Sequence, residues 1–174
     1  MPALTAVASP IAGRFVVESI AGAGGMGTVY RARDEQTGQT VALKLIHASG
    51  KPHLIERFAR EAEVLAALRH PGIVGYLAHG VMETGESYLA MEWLEGEALS
   101  HRLARGALSL PESLTLLRRT AEALALAHAR GVVHRDLKPS NLLLRDGRAE
   151  RVAVLDFGIA RLTAVSQVMT RTGW

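Results

Sequence analysis

Cysteine is absent from this 174-residue chain, so neither a disulfide framework nor a thiolate-held metal can organise it. Such a chain suits a reducing compartment. Long apolar runs are missing too, and no stretch approaches the ~20 residues a membrane helix needs. The first twelve residues are weakly apolar but have neither a basic start nor a long apolar segment, and they read as a loose tail rather than a signal peptide. Lysine and arginine are scattered, and the net charge is only +3. Without a basic stripe, neither nucleic acid nor a membrane surface is expected as a partner. Internal repeats and low-complexity tracts are also absent. The expectation is a cytoplasmic chain, any membrane anchor of a longer polypeptide lying beyond residue 174.

Apolar residues make up 48% of the chain, enough for one core or two small lobes. Residues 15–20 read as a strand, 22–27 as a glycine-rich turn, 28–32 as a second strand, 34–38 as a polar connection and 40–46 as a third strand. Short turns between successive strands imply an antiparallel sheet. A helix is expected over 54–69, with Phe58, Glu61, Leu65 and Leu68 on one face, and His70-Pro71 ends it. Two further strands, 73–79 and 87–93, complete a small β-rich lobe with one helix. After a connector at 94–96 the chain turns rich in Ala and Leu. Ser109-Leu110-Pro111-Glu112 has capping-box spacing, and the helix it opens runs to about residue 130, where Gly131 suits a C-cap. Leu114, Leu117, Ala121 and Leu124 form its apolar stripe. A loop at 134–141, short strands at 142–145 and 152–155, and eighteen aperiodic residues follow. The fold class is α+β.

Gly22-x-Gly24-x-x-Gly27 is a weak signal alone, shared by dinucleotide folds, phosphate loops and plain hairpins. Its context discriminates. A dinucleotide fingerprint must open a helix, whereas 28–32 alternates like a strand. A Walker-type loop needs Gly-Lys-Ser/Thr, and the chain's one Gly-Lys, Gly50-Lys51, is followed by Pro52. Lys44 sits inside a strand, and Glu61 shares a helix face with apolar residues. Each charge is costly there unless the other meets it, so a Lys44–Glu61 pair is expected. The strongest string is His134-Arg135-Asp136-Leu137-Lys138-Pro139-Ser140-Asn141, followed after an apolar strand by Asp156-Phe157-Gly158.

These motifs, in this order, resemble the catalytic domain of the eukaryotic-type serine/threonine protein kinases of bacteria, from about Arg14 onward. The resemblance implies a two-lobe fold: a tail at 1–13, a small lobe at 14–93, and the first part of a helical large lobe at 94–174. It implies ATP and Mg²⁺ as cofactors, with Mn²⁺ as an alternative metal, and transfer of the γ-phosphate to a Ser or Thr of a protein substrate. Asp136 would act as base, with Lys138, Lys44 and Glu61 as catalytic partners, and Asn141 and Asp156 would hold the metal. Ala21, Gly22, Gly24, Gly27, Val29, Ala42, Lys44, Met91, Glu92, Leu94, Leu143 and Leu155 would bind the nucleotide, with 92–94 as the hinge facing the adenine edge. Arg135 suggests control by a phosphorylated activation loop, with Thr170 and Thr172 as acceptors and self-phosphorylation as one source.

The Ala-Pro-Glu motif and the later helices of the family have no counterpart here, and the chain stops inside the activation segment. The expectation is a truncated kinase domain of impaired activity, whose Ala/Leu helix leaves apolar surface uncovered. The rival reading is a nucleotide-binding pseudokinase or regulatory module that performs no transfer.

Overall fold

The computed structural model describes residues 10–24, 27–46 and 52–157. Thr170, Thr172, Gly158 and the first nine residues lie outside the described residues. The chain divides into two compact units, the divisions falling after Ala62, after Gly75 and after Trp93.

The first unit is built on five antiparallel strands: β1 (Phe15–Gly24), β2 (Gly27–Asp34), β3 (Thr40–Ile46), β4 (Tyr76–Val81) and β5 (Ser87–Glu92), in the order β1-β2-β3-β5-β4. β1 and β2 stay paired up to Gly24 opposite Gly27, so the hairpin is tight. Gly27 has φ of 141°, and a Cβ there would stand 2.0 Å from the Leu45 carbonyl oxygen, which makes it a position for glycine alone. Gly22 and Gly24 instead face open space.

Alternation along the strands sets the core. Phe15, Ala32, Val41, Leu43 and Ala90 are fully buried together, and Ile11 and Tyr88 pack against them. The Phe15 and Tyr88 rings meet edge to face at 5.7 Å. The β2–β3 turn is organised by Asp34, whose carboxylate accepts from Gln36 N at 3.0 Å and Thr37 Oγ1 at 2.9 Å. Arg14 then closes on the same carboxylate through two bonds, 2.8 and 2.7 Å. Ile11 pairs with Phe15, so the folded chain begins before Arg14.

Helix α1 spans Pro52–Ala66, starting and ending earlier than the sequence suggests. Phe58, Ala62 and Leu65 are its buried stripe. The helix stops before His70-Pro71 because Leu68 turns inward and the Arg69 guanidinium takes the carbonyls of Ala66 and Leu68, at 2.6 and 3.1 Å. β4 begins three residues later than expected. The missing stretch is claimed elsewhere: Ile73 forms a parallel bridge with Val154, and Val154 N donates to Gly72 O at 2.8 Å.

The second unit holds a small antiparallel sheet, β6 (Glu97–Ala98), β7 (Leu142–Leu144) and β8 (Val152–Val154), with helices α2 (Leu99–Ala104) and α3 (Leu110–Ala129). β6 and α2 were not expected from the sequence. α3 opens with the expected capping box: Ser109 N donates to Glu112 Oε2 at 2.8 Å and Glu112 N to Ser109 Oγ at 3.4 Å. The Ser109 hydroxyl, 2.6 Å from the same carboxylate, helps hold Glu112 below its ordinary pKa. At the other end Gly131, with φ of 73°, donates to His128 O at 2.9 Å.

The buried face of α3 is not the leucine stripe. Leu116, Thr120, Ala123 and Ala127 are buried, against β8 and the turn Ala149–Arg151. The two alanines let the helix approach closely, and that wins over leucine volume. Leu114 is 58% and Leu117 64% exposed, with Leu110 also in solvent.

Candidate active site

In the first unit, sheet register gathers the sequence-derived nucleotide residues. Val29 pairs with Lys44 and Lys44 with Leu89; Ala42 pairs with Met91. Directly paired residues, and residues two apart on one strand, share a face. Val29, Ala42, Lys44 and Met91 therefore stand on one face of the sheet, opposite to Val41 and Leu43 of the core. Ala21, Gly22 and Gly24 are exposed on β1, and Glu92 closes β5.

Lys44 is only 5% exposed, so its ammonium is withdrawn from bulk water on that face. Arg57, one turn earlier on α1, engages the Glu61 carboxylate at 3.4 Å, and Glu61 is a third exposed rather than core-facing. A local partner four residues away meets the carboxylate at little ordering cost.

In the second unit the loop at 134–141 is fastened to the end of β8 through the backbone of Leu155. His134 is 2% exposed, and its Nε2 lies 2.7 Å from Leu155 O. Its Nδ1 accepts from Asp136 N at 3.3 Å. A backbone N–H only donates, so Nδ1 is the acceptor and Nε2 carries the proton given to Leu155. Leu155 N in turn donates to Asn141 O at 2.9 Å. Both polar groups of Leu155 are thus bonded to the two ends of the loop, which fixes the chain just before Asp156. The His134 and Phe157 rings pack with centroids 4.8 Å apart.

Asp136 is held from two sides. Asn141 Nδ2 donates to its backbone carbonyl at 2.8 Å and reaches its Oδ2 at 3.3 Å, while Lys138 Nζ lies 2.8 Å from Oδ2. Arg135 and Asp156 adopt φ of 62° and 52°, left-handed conformations that side chains other than glycine enter at a cost. Such strain persists where surrounding bonds over-determine it, as the Leu155 fastening does.

The donor set suits a hard divalent cation. With Nδ2 of Asn141 committed to Asp136, its Oδ1 is the atom that would meet a ligand, and the Asp156 carboxylate would offer a second oxygen. Magnesium prefers oxygen donors of this kind and binds through one or two protein groups together with water and phosphate. Leu143 on β7 and Leu155 are both half-buried, as is Leu94.

A glycine hairpin leading into a strand paired with a buried lysine, and a fastened His-Arg-Asp loop followed by Asp-Phe, point to one family. The sequence matches the protein kinase domain family over residues 15–173, and the chain belongs to it. The relatives narrow the class to serine/threonine kinases of bacteria. PknA of Mycobacterium tuberculosis is 41% identical over 94% of this chain, and pkn2 of Myxococcus xanthus is 41% identical over 90%. Among solved structures, the kinase domain of M. tuberculosis PknI superposes with a TM-score of 0.74 at 32% identity, covering 86% of this chain. Rad53 in complex with AMP-PNP gives 0.73 at 32% identity over 84% of this chain. The chain spans 39% of PknA, 20% of pkn2, 60% of the solved PknI domain and 39% of the solved Rad53 chain.

Arg31 has no motif to mark it, and Trp93 enters the sequence reading only as part of the 92–94 hinge. The Arg31 guanidinium lies over the Trp93 ring, 5.4 Å from its centroid. No local signal pairs two residues so far apart in the chain.

Proposed function

We propose that this chain binds ATP with Mg²⁺ and transfers the γ-phosphate to a serine or threonine hydroxyl of a protein. The substrate hydroxyl oxygen would form its new bond to the γ-phosphorus as the bond to the bridging oxygen of ADP breaks. Asp136 would accept the hydroxyl proton, Lys138 would neutralise charge on the transferring group, and Lys44 would orient the α- and β-phosphates under the glycine hairpin. Glu61 is retained as a proposed catalytic partner of Lys44. Ala21, Gly22, Gly24, Gly27, Val29, Ala42, Met91, Glu92, Leu94, Leu143 and Leu155 would enclose the nucleotide, and Asn141 and Asp156 would hold the metal. When bound, the metal supplies charge neutralisation at the phosphates.

The observation that carries this reading is the Asp136 carboxylate held by Asn141 with Lys138 Nζ 2.8 Å away, a base beside a cation. Support comes also from Rad53, a relative in fold solved with AMP-PNP, a nucleotide. The rival module without transfer is disfavoured because Lys44, Asp136, Asn141 and Asp156 are all present. The exposed leucines of α3 support lower activity for the isolated chain than for a longer kinase domain. Self-phosphorylation at Thr170 or Thr172 belongs to the same proposal.

The test is Asp136→Asn. Phosphate transfer should fall by at least ~100-fold with ATP affinity held within about threefold, since general-base catalysis contributes on the order of 10²–10⁴. Equal transfer by wild type and variant would remove Asp136 from the role of base.

A further inference from the structure

Arg31 lies on the nucleotide-bearing face of the first unit, yet no role follows for it from the motifs. It pairs with Ala42, which pairs with Met91, so Arg31, Ala42 and Met91 form one transverse row of the sheet. Two residues past Met91 stands Trp93, and the Arg31 guanidinium covers its ring at 5.4 Å. On the other side Arg31 Nε sits 3.1 Å from Glu18 Oε2, an ion pair without hydrogen-bond geometry, where β1 carries an irregularity between Val17 and Ser19. The irregularity matters: Val17 pairs with Ala32 and Ser19 with Arg31, so Glu18 is the extra residue and its side chain is re-aimed toward Arg31. Glu18, Arg31 and Trp93 thus form a chain of contacts across three strands, carboxylate to guanidinium to indole.

We infer that Arg31 is a positioning residue for adenine binding: paired in charge with Glu18, it holds Trp93 by a cation–π contact and so fixes the backbone of Glu92 and Trp93. This rests on the nucleotide reading above, in which that backbone meets the adenine edge. A cation over an indole face is attracted by the ring quadrupole, and tryptophan is the strongest of the aromatic partners. Both side chains are partly in solvent, so the effect on affinity is modest, roughly two- to fivefold. The contribution falls on recognition of the base and leaves the phosphate end untouched.

Calorimetric titration of the full chain with adenosine and with MgATP tests this, using Arg31→Met, Trp93→Leu, the double variant and Arg31→Lys. Arg31→Met keeps the apolar stem and removes the charge; Trp93→Leu keeps bulk and removes the ring face. Each single variant should weaken adenosine and MgATP by the same factor, roughly two- to fivefold. The double variant should lose no more than the larger single loss, and Arg31→Lys should restore most of the affinity. If the wild type binds but the two single losses multiply in the double variant, the contact does not couple the residues and the proposal fails. It fails equally if MgATP weakens while adenosine does not, since the guanidinium would then serve the phosphates. A wild-type chain binding neither ligand would sink the nucleotide reading itself, and this inference with it.

Discussion

The side-chain amide of Asn141 donates to the backbone carbonyl of Asp136 at 2.8 Å and touches its carboxylate at 3.3 Å. One side chain therefore braces the proposed base with its nitrogen, and in the proposed site its oxygen would meet the metal. The two tasks are separable by substitution, because only the nitrogen fixes the loop.

Asn141→Asp retains the oxygen ligand and replaces the brace with a second carboxylate beside Asp136. Transfer should drop by about 100-fold, the size expected when a reacting group is misplaced by ~1 Å. Asn141→Ala should remove both functions, so that added Mg²⁺ no longer strengthens ATP binding. ATP titrations with and without Mg²⁺, beside single-turnover transfer rates, separate the two variants. Unchanged metal dependence in Asn141→Ala would remove this residue from the metal site.

The glycines of the hairpin should differ in their tolerance. Gly27→Ala drives a methyl to 2.0 Å from the Leu45 carbonyl at φ of 141°, whereas Gly24 faces open space. Gly27→Ala should cost roughly 2–4 kcal/mol of stability, and Gly24→Ala less than about 1 kcal/mol. Urea unfolding of the two variants checks the contrast, and equal midpoints would contradict the packing of β2 on β3.

Asp34 gives the fold an acid sensitivity. The hydrogen bonds of Arg14 hold its carboxyl well below the usual range, outweighing the opposing effect of burial. A folded-state pKa below the unfolded value means stability that is fully present above pH ~4 and lost as pH falls through that value toward the folded one. Asp34→Asn should cost about 2–3 kcal/mol at pH 7, because Arg14 is left with only a neutral partner. The gap between wild type and variant should close as the pH is lowered from 5 to about 2. Urea midpoints across that range provide the measurement, and a constant gap would contradict the pair's role.

Much of this was legible because period and punctuation agree in the small sheet. The β1–β3 strands, the glycine hairpin and the capping box at Ser109 each have a local signal that survives folding. The motifs named candidate site residues, and sheet register places Val29, Ala42, Lys44 and Met91 on one face. What was not legible depends on distant competitors. Ile73 leaves the expected strand because Val154 offers it a bridge, and nothing near Ile73 announces that. The leucines of α3 look like a core stripe by volume, while the face that packs is the one whose alanines permit close approach. β6 and α2 are too short, at two and six residues, to show any period.

Transfer of label from γ-³²P-ATP to a protein substrate, followed by analysis of the labelled amino acid, tests the central claim most directly. The wild-type chain should place label on serine or threonine, and chelation of Mg²⁺ should abolish it. A wild-type chain that binds ATP but transfers no phosphate, or that labels other residue types, would contradict the account.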